Sequence, residues 1–428
     1  MKILVVGSGG REHAIIKKLR ENNTVTEIYA LPGNGGIAAD AICVPIGAKD
    51  IESIKAFALE KSVDFAVIAP DDPLVMGCVD VLEAAGVPCF GPTANAAIIE
   101  GSKVFSKDLM KKYSIPTARC EVFSDSKLAA EYIKKHNKYP TVIKADGLAL
   151  GKGVIIAENE EEAVNAVKSM IDGGKFGTSG THVVIEEFMT GPEVSVLAFT
   201  DGKTVVPMVS SMDHKRAHDN DTGLNTGGMG TVAPNPYYTK QIADKCMTTI
   251  FLPTVNAMNS EGRSFKGCLY FGLMLTPEGP KVVEYNCRFG DPETQVVLPL
   301  MKTDLLTVMQ AVHDGTLGEL DVKFETGCCV CVIVASGGYP EDYKKGYAIT
   351  LPEMSDPDVT LFHAGTKLDN KTLVTSGGRV LGVSAKAPSL SKAIDKSYEY
   401  ARKVAFKDSF YRNDIGKRAM EADSTNNQ

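Results

Sequence analysis

One run of the chain gathers most of the groups that could do chemistry: Val282-Val283-Glu284-Tyr285-Asn286-Cys287-Arg288-Phe289-Gly290-Asp291-Pro292-Glu293. Its first half reads as a strand, and Gly290-Asp291-Pro292 as a sharp turn. Strand side chains alternate between faces, so Glu284, Asn286 and Arg288 are expected on one face and Val283, Tyr285 and Cys287 on the other. Three polar groups converging from one face are costly to bury without a partner. A carboxylate and an amide, oxygen donors only, suit a hard cation, usually Mg²⁺ carried by a polyphosphate.

A second run supplies positive charge. Lys144-Ala145-Asp146-Gly147-Leu148-Ala149-Leu150-Gly151-Lys152-Gly153-Val154 reads as a cationic, glycine-rich hairpin whose backbone can lie against phosphates while Lys144 meets them as a point charge. It lacks the G-x-x-x-x-G-K-[ST] spacing of a P-loop. Lys103 stands near the start of a helix expected from Gly101 to about Tyr113. An oxygen pair, a glycine–lysine flap and lysines on separate elements describe an ATP site that works by positioning and charge neutralisation. There, a carboxylate attacking the γ-phosphate would give an acyl phosphate, from which an amine would displace phosphate. Residues 213–230 are too polar and glycine-rich to read as regular structure, and loops of that length in compact domains are usually functional.

These groups must be positioned by an α/β framework. The first hundred residues alternate strand and helix: strands at Ile3–Val6, Ile28–Leu31, Val63–Ala69 and Val87–Phe90, helices at Arg11–Arg20, Ile51–Lys61 and Leu74–Ala85. That repetition implies an open parallel sheet, with ligands beyond the carboxyl ends of its strands. Gly7-Ser8-Gly9-Gly10, Pro32-Gly33-Asn34-Gly35-Gly36 and Pro70-Asp71-Asp72 fall at those ends. Gly7-x-Gly9 invites a nicotinamide dinucleotide, but Glu12 replaces the third small residue and no acid closes the second strand. A smaller αβ segment follows, then a long helix over Lys240–Asn259 and the hairpin Leu269–Thr276 with Lys281–Asn286. After Thr326 the composition shifts toward a small third unit of mixed topology.

The 428 residues suit two to four domains of an ordinary globular protein. A formal charge of -7 argues against a nucleic-acid partner. The ten cysteines lie mostly in apolar runs and are read as free buried thiols, without a zinc or redox pair. No apolar run approaches a membrane span, and the four-residue run before Gly7 is too short for a signal peptide, so a cytoplasmic protein is expected.

The motifs together resemble the phosphoribosylamine–glycine ligases (glycinamide ribonucleotide synthetases) of the ATP-grasp superfamily. Gly7–His13, Pro32–Gly36, the flap, Asp213–Arg216 with Asn225–Gly230, Arg288–Glu293, His363–Thr366 and Ser376–Val380 carry the resemblance, which covers essentially the whole chain. It implies a Rossmann-like domain at 1–103 that binds phosphoribosylamine, a two-lobed ATP-grasp domain at 104–326 with a mobile lid near 122–192, and a small α/β domain at 327–428. It implies ATP as co-substrate, held by Lys103, Lys144, Gly151 and Gly153, with Glu186 and Phe188 at the adenine and Glu193 at the ribose. Glu284 and Asn286 would bind Mg²⁺ or Mn²⁺. Lys144, Asp213 and Arg288 are the implied catalytic residues. Glycine, the acyl phosphate and 5-phosphoribosylamine would meet Asp213, Asn225, Thr226, Gly227, Gly228, Arg288, Gly290, Gly9, Gly10, Asn34, Gly35 and Asp71. Asp71 stands where the family usually has a longer Glu, one methylene more of reach. A monofunctional monomer is implied. Two other readings are a different ATP-grasp carboxylate–amine ligase and, on Gly7-x-Gly9, a nicotinamide-dependent oxidoreductase.

Overall fold

The computed structural model describes residues 1–147, 153–173 and 181–426. Its N-terminal sheet is five-stranded and parallel, with Lys2–Gly7 at the centre, Glu27–Pro32 and then Ile42–Cys43 on one side, and Phe65–Ile68 and then Cys89–Phe90 on the other. Both faces are covered: Leu4, Val6, Leu31 and Ile68 join one core, and Ile3, Val5, Ala30 and Val67 another. That double burial explains the uninterrupted apolar run Ile3–Val6. The chain order reverses beside Lys2–Gly7, so the carboxyl ends at Gly7, Pro32 and Ile68 frame a crevice.

The central unit carries an antiparallel sheet ordered Val205–Pro207, Glu193–Asp201, Lys266–Thr276, Gly279–Asn286. Above it lies a second four-stranded sheet, Cys120–Phe123, Val183–Glu187, Thr141–Ala145 and Val154–Ala157, backed by helices Ser126–His136 and Glu160–Ile171. This small lobe has a core of its own around Ile133, Ile143 and Val167.

The C-terminal sheet holds a surprise. Its order is Met212–Asp213, Gly230–Ala233, Cys328–Ser336, Arg379–Ala387 and Val359–His363. The segment read as irregular therefore supplies two strands to this sheet, and between them Arg216–His218 and Thr222–Asn225 form a hairpin. Propensity hid these strands because tertiary partners satisfy their backbone. Buried Arg412 donates to the Arg216 carbonyl at 3.1 Å and to Asp221 at 2.9 Å.

Three helices also differ from the sequence reading. Gly77, at φ +86°, splits the expected Leu74–Ala85 into Asp71–Val75 and Cys78–Ala84. Ala94–Gly101, only eight residues long and without a clear helical stripe, forms a helix ahead of Lys103–Lys112. A π-helical turn at Met247–Phe251 interrupts the long helix just before Pro253, which has no N–H to continue the ladder.

All ten cysteines are free thiols. The reading without a paired spacing missed Cys328-x-x-Cys331, but those two lie three residues apart on strand Cys328–Ser336 and project to opposite faces, so they cannot act together. Among the described residues no helix is long and apolar enough to cross a membrane.

Candidate active site

Strand Gly279–Asn286 is the edge of the central sheet, and a β-bulge at Val283 changes its expected pattern. Gly272 faces Glu284 while Leu273 faces Val282, leaving Val283 as the extra residue. Val282, not Val283, is buried with Tyr285 and Cys287. Bulges near active sites re-aim side chains and free backbone groups. Here the freed Val283 carbonyl accepts Lys144 Nζ at 3.2 Å, tying the small lobe to the edge strand.

Positive charge converges on this edge. Ser102 caps helix Lys103–Lys112 and also donates to Asp146, at the base of the flap, at 3.1 Å. Lys103 Nζ donates to the Gly147 carbonyl at 2.7 Å. One helical turn on, Lys107 Nζ lies 3.1 Å from Glu186 Oε1, and Lys144 Nζ lies 3.0 Å from Glu186 Oε2, with all three side chains buried. Lys215 pairs with Glu193 at 3.1 Å. Burial alone would raise the Glu284 carboxyl, but Lys215, Lys144, Lys103 and Arg288 outweigh it and hold Glu284 ionised below its ordinary value. Burial lowers Lys103, an effect that Glu284 partly offsets.

Among the described residues no group of three or more His, Cys, Asp or Glu side chains could hold a metal ion. The Glu284–Asn286 pair still fits a hard cation in one sense. It offers oxygen donors only, its carboxylate is held ionised, and the remaining positions would fall to phosphate oxygens and water. Asn286 Oδ1 also accepts Arg288 Nη2 at 3.2 Å, so the amide oxygen is oriented before any ion arrives.

Arg288 marks the inner end of this cluster. Its Nη2 donates to Glu100 Oε1 at 2.9 Å and lies 3.9 Å from Asp71 Oδ2. Burial would raise Asp71, but Arg288 and Arg11 prevail and keep it below the ordinary carboxylate range. The shorter Asp71 thus still meets the guanidinium. Buried Arg288 Nε has no hydrogen-bond partner among the described residues. Past Arg288, burial and the neighbouring Glu293 push Asp213 well above the usual carboxylate range. Glu293 accepts the Tyr270 hydroxyl at 3.1 Å, and a Cβ on Gly290 would come within 2.4 Å of its Oε2.

On the other side of Asp291 lies a cleft of about 360 Å³ between the N- and C-terminal sheets, lined by Ser8, Gly9, Asn34, Thr366, Gly377 and Arg379 among others. Gly9 and Asn34 line it, but the Asn34 side chain is engaged within the protein. Its Nδ2 donates to the carbonyls of Ser8 and His363, and its Oδ1 accepts the N–H groups of Gly36 and Ile37. Gly10 and Gly35 do not line the cleft. A Cβ on Gly10 would meet Gln295 at 2.5 Å, and one on Gly35 the Lys367 backbone at 2.7 Å, so both serve close packing.

Buried Glu12 accounts for the failed dinucleotide pattern. Its carboxylate accepts the Gly9 N–H at 2.5 Å and fills the space beneath Gly7, where a Cβ would lie 2.5 Å from Glu12 Cγ. The donor and the volume that a pyrophosphate would need are both taken.

The remaining predicted positions are dispersed. Phe188 follows strand Val183–Glu187 and is exposed, as is Asn225 on its hairpin. Thr226 donates its backbone N–H and its hydroxyl to the Lys215 carbonyl, at 2.7 and 2.8 Å. A Cβ on Gly228 would lie 2.6 Å from Asp213 Oδ1, and Arg379 bonds the carbonyls of Gly227 and Asp291, both at 2.7 Å. Gly153 immediately precedes strand Val154–Ala157 and its carbonyl accepts the Ala145 N–H at 2.8 Å, whereas Gly151 lies outside the described residues.

Sequence reasoning assigned no role to Lys107, Lys215, Glu100, Tyr270 or Tyr339. Lys107 was findable, since it stands four residues after Lys103 on one helix face. Lys215 shares a strand-like alternation with Asp213. Glu100 gave no signal, because its helix shows no polar face.

Three family models match successive parts of the chain. Models of the phosphoribosylglycinamide synthetase N domain, ATP-grasp (A) domain and C domain match residues 1–100, 101–294 and 329–418. A phosphoribosylamine–glycine ligase of Caldanaerobacter subterraneus is 47% identical over 416 residues, covering 97% of this chain and 99% of that one. The crystal structure of a phosphoribosylamine–glycine ligase from Thermotoga maritima aligns with a TM-score of 0.86 at 36% identity, covering 97% of this chain and 100% of that one. A biotin carboxylase domain of Hydrogenobacter thermophilus, in complex with MgADP and bicarbonate, shares the fold at 16% identity, with a TM-score of 0.75 over 96% of this chain and 91% of that one.

Proposed function

The chain belongs to the phosphoribosylglycinamide synthetase family, and from that premise we infer its chemistry: ATP-dependent ligation of glycine to 5-phosphoribosylamine, giving glycinamide ribonucleotide, ADP and phosphate in purine biosynthesis. The observation that carries the reading is a junction. The cationic cluster around Glu284 ends at Arg288, and the cleft between the sheets begins three residues later at Asp291. A polyphosphate site and a second substrate site thus meet across one turn.

In this reading Lys103 and Lys144 hold ATP phosphates beneath the flap, Glu186 and Phe188 border the adenine, and Glu193 meets the ribose. Glu284 and Asn286 hold Mg²⁺ or Mn²⁺, which when bound shields charge between phosphate oxygens. Asp213, the Asn225–Gly228 turn, Gly290 and Arg288 position glycine, with Arg288 Nε free to donate to a carboxylate or acyl phosphate oxygen. Gly9 and the glycine floor of the cleft receive phosphoribosylamine, and Asp71 keeps Arg288 in place.

The chain's part in the reaction is electrostatic. A glycine carboxylate oxygen bonds to the γ-phosphorus as the bond to ADP breaks. The amine of phosphoribosylamine then bonds to the acyl carbon, the C–O bond to phosphate breaks, and the amine sheds a proton. Fixed cations at Lys103, Lys144 and Arg288 neutralise the charge that develops on the transferred group, at no reorganisation cost. The protein is expected to act as a cytoplasmic monomer, which size-exclusion chromatography and cell fractionation test.

Purified protein supplied with ATP, Mg²⁺, glycine and fresh phosphoribosylamine should release ADP only when both co-substrates are present. ADP release with another amino acid and none with glycine would overturn the assignment.

A further inference from the structure

Gly227 is gripped from both ends. Its N–H donates to the Tyr339 hydroxyl at 3.0 Å, and its carbonyl accepts Arg379 Nη1 at 2.7 Å. The same guanidinium reaches Asp291, with Nη1 on its carbonyl at 2.7 Å and Nη2 at 3.4 Å from Oδ1. Both Tyr339 and Arg379 line the 360 Å³ cleft. One pair of side chains therefore faces the cleft and fixes the glycine turn that returns to Asp213.

The grip is built rather than incidental. The Tyr339 ring lies against Gly378, where a Cβ would come within 2.1 Å of a ring carbon, and the Arg379 guanidinium lies against Gly227, where a Cβ would be 2.9 Å from Cζ. Gly228 follows at φ +114°, a left-handed conformation that favours glycine, and it packs between Pro292 and Asp213. The turn thus has little slack on the Asp213 side. Among the described residues nothing accepts the Tyr339 hydroxyl proton, which leaves it available to a cleft occupant.

We propose that Tyr339 and Arg379 are positioning residues that couple the two substrates, so that a sugar phosphate in the cleft fixes Gly227 and thereby strengthens glycine binding beside Asp213. The inference rests on the assignment above of the cleft to phosphoribosylamine and of the Asp213–Gly228 region to glycine. Such coupling is reciprocal: each ligand raises the affinity for the other by the same factor.

Calorimetry on the full chain, saturated with a non-hydrolysable ATP analogue and Mg²⁺, reads this directly. Glycine is titrated with and without ribose 5-phosphate, a stable probe for the sugar phosphate. The wild type is expected to bind glycine about fivefold or more tightly when ribose 5-phosphate is present. Tyr339→Phe removes only the hydroxyl and should cut that factor to under about twofold while each ligand still binds alone. Arg379→Lys keeps the charge but loses the two-pronged reach, and should lower the factor as well. Either variant retaining the full wild-type factor overturns the proposal, and so does a wild type without coupling. Failure of ribose 5-phosphate to bind the wild type strikes the cleft assignment first and takes the proposal with it. Turnover with glycine and phosphoribosylamine separately reports whether the underlying function holds.

Discussion

Around Glu284 the protein sets out charge on long side chains, whereas at the cleft beside Gly9 it offers backbone, hydroxyls and charges already engaged with one another. Lys103, Lys144, Lys215 and Arg288 all act on the Glu284 carboxylate, and three of them are also paired, Lys144 with Glu186, Lys215 with Glu193 and Arg288 with Glu100. At the cleft, Arg379 is occupied with Asp291 and two glycine carbonyls, and Asn34 with four backbone groups. The first region is a cluster of cations and carboxylates on long side chains. The second is a shape, held by close contacts between the N- and C-terminal sheets. Substitutions in the first should therefore strike turnover and spare the fold, and those in the second should strike docking and stability.

The sharpest break is Glu284→Gln. It keeps the size and removes the charge, and should lower turnover by about 1,000-fold or more, roughly 4 kcal/mol of transition-state stabilisation. Thermal melting should fall only modestly and stay cooperative, since the cations that hold Glu284 ionised lose one partner while Lys144, Lys215 and Arg288 keep others. Retained ADP release would refute the metal assignment.

The cleft side should respond to acid. His13 Nδ1 accepts the His363 N–H at 2.8 Å, so its Nε2 carries the proton shared with Asp40 at 2.9 Å. Burial lowers His13 below its ordinary value and pushes His363 down to about 3. Both folded values lie below the unfolded value near 6.5. As pH falls beneath that point the unfolded chain takes up protons that the folded one refuses, and stability is lost down to the folded pKa. Between pH 7.5 and 5 this amounts to about 2 kcal/mol for His363, and His13 adds to it in the same direction. Denaturant midpoints at the two pH values measure it, and His363→Phe should remove the His363 part of the loss. An unchanged loss in that variant would clear His363 of the role.

Gly36→Ala tests the shape itself. A Cβ there would lie 1.9 Å from the His363 ring, an overpacking expected to cost about 1–3 kcal/mol. Phosphoribosylamine KM should rise while ATP KM holds. Equal losses in both would mean that the two regions are not separable.

The mildest change, Lys107→Met, leaves Glu186 with Lys144 alone. Loss of one close ion-pair contact, Lys107 Nζ to Glu186 Oε1 at 3.1 Å, suggests about 1.5 kcal/mol, or about a tenfold rise in ATP KM, without effect on glycine. An unchanged ATP KM would leave Lys107 a purely structural partner of Glu186.

The same contrast decides what could be read from the sequence. The cluster around Glu284 was legible because Lys144, Glu284 and Asn286 announce themselves by residue type and spacing, and the parallel N-terminal sheet because βα alternation is periodic. The bulge at Val283 was not, since it depends on register against Gly272. The strands within 212–233 were hidden because Gly230–Ala233, on which Met212–Asp213 pairs, needs the distant strand Cys328–Ser336, and the hairpin beside them leans on Arg412. At the cleft, glycines that looked like ligand contacts at Gly10 and Gly35 serve packing against Gln295 and Lys367, a distinction that only three-dimensional neighbours make.

The central claim is that glycine is activated as an acyl phosphate at the Arg288 turn, between the two regions. Glycine labelled with ¹⁸O in its carboxylate tests it in one turnover experiment with ATP and phosphoribosylamine. The account predicts one carboxylate ¹⁸O in each inorganic phosphate released, because that oxygen bonds to the γ-phosphorus before the amine displaces it. Unlabelled phosphate accompanying glycinamide ribonucleotide formation would contradict it.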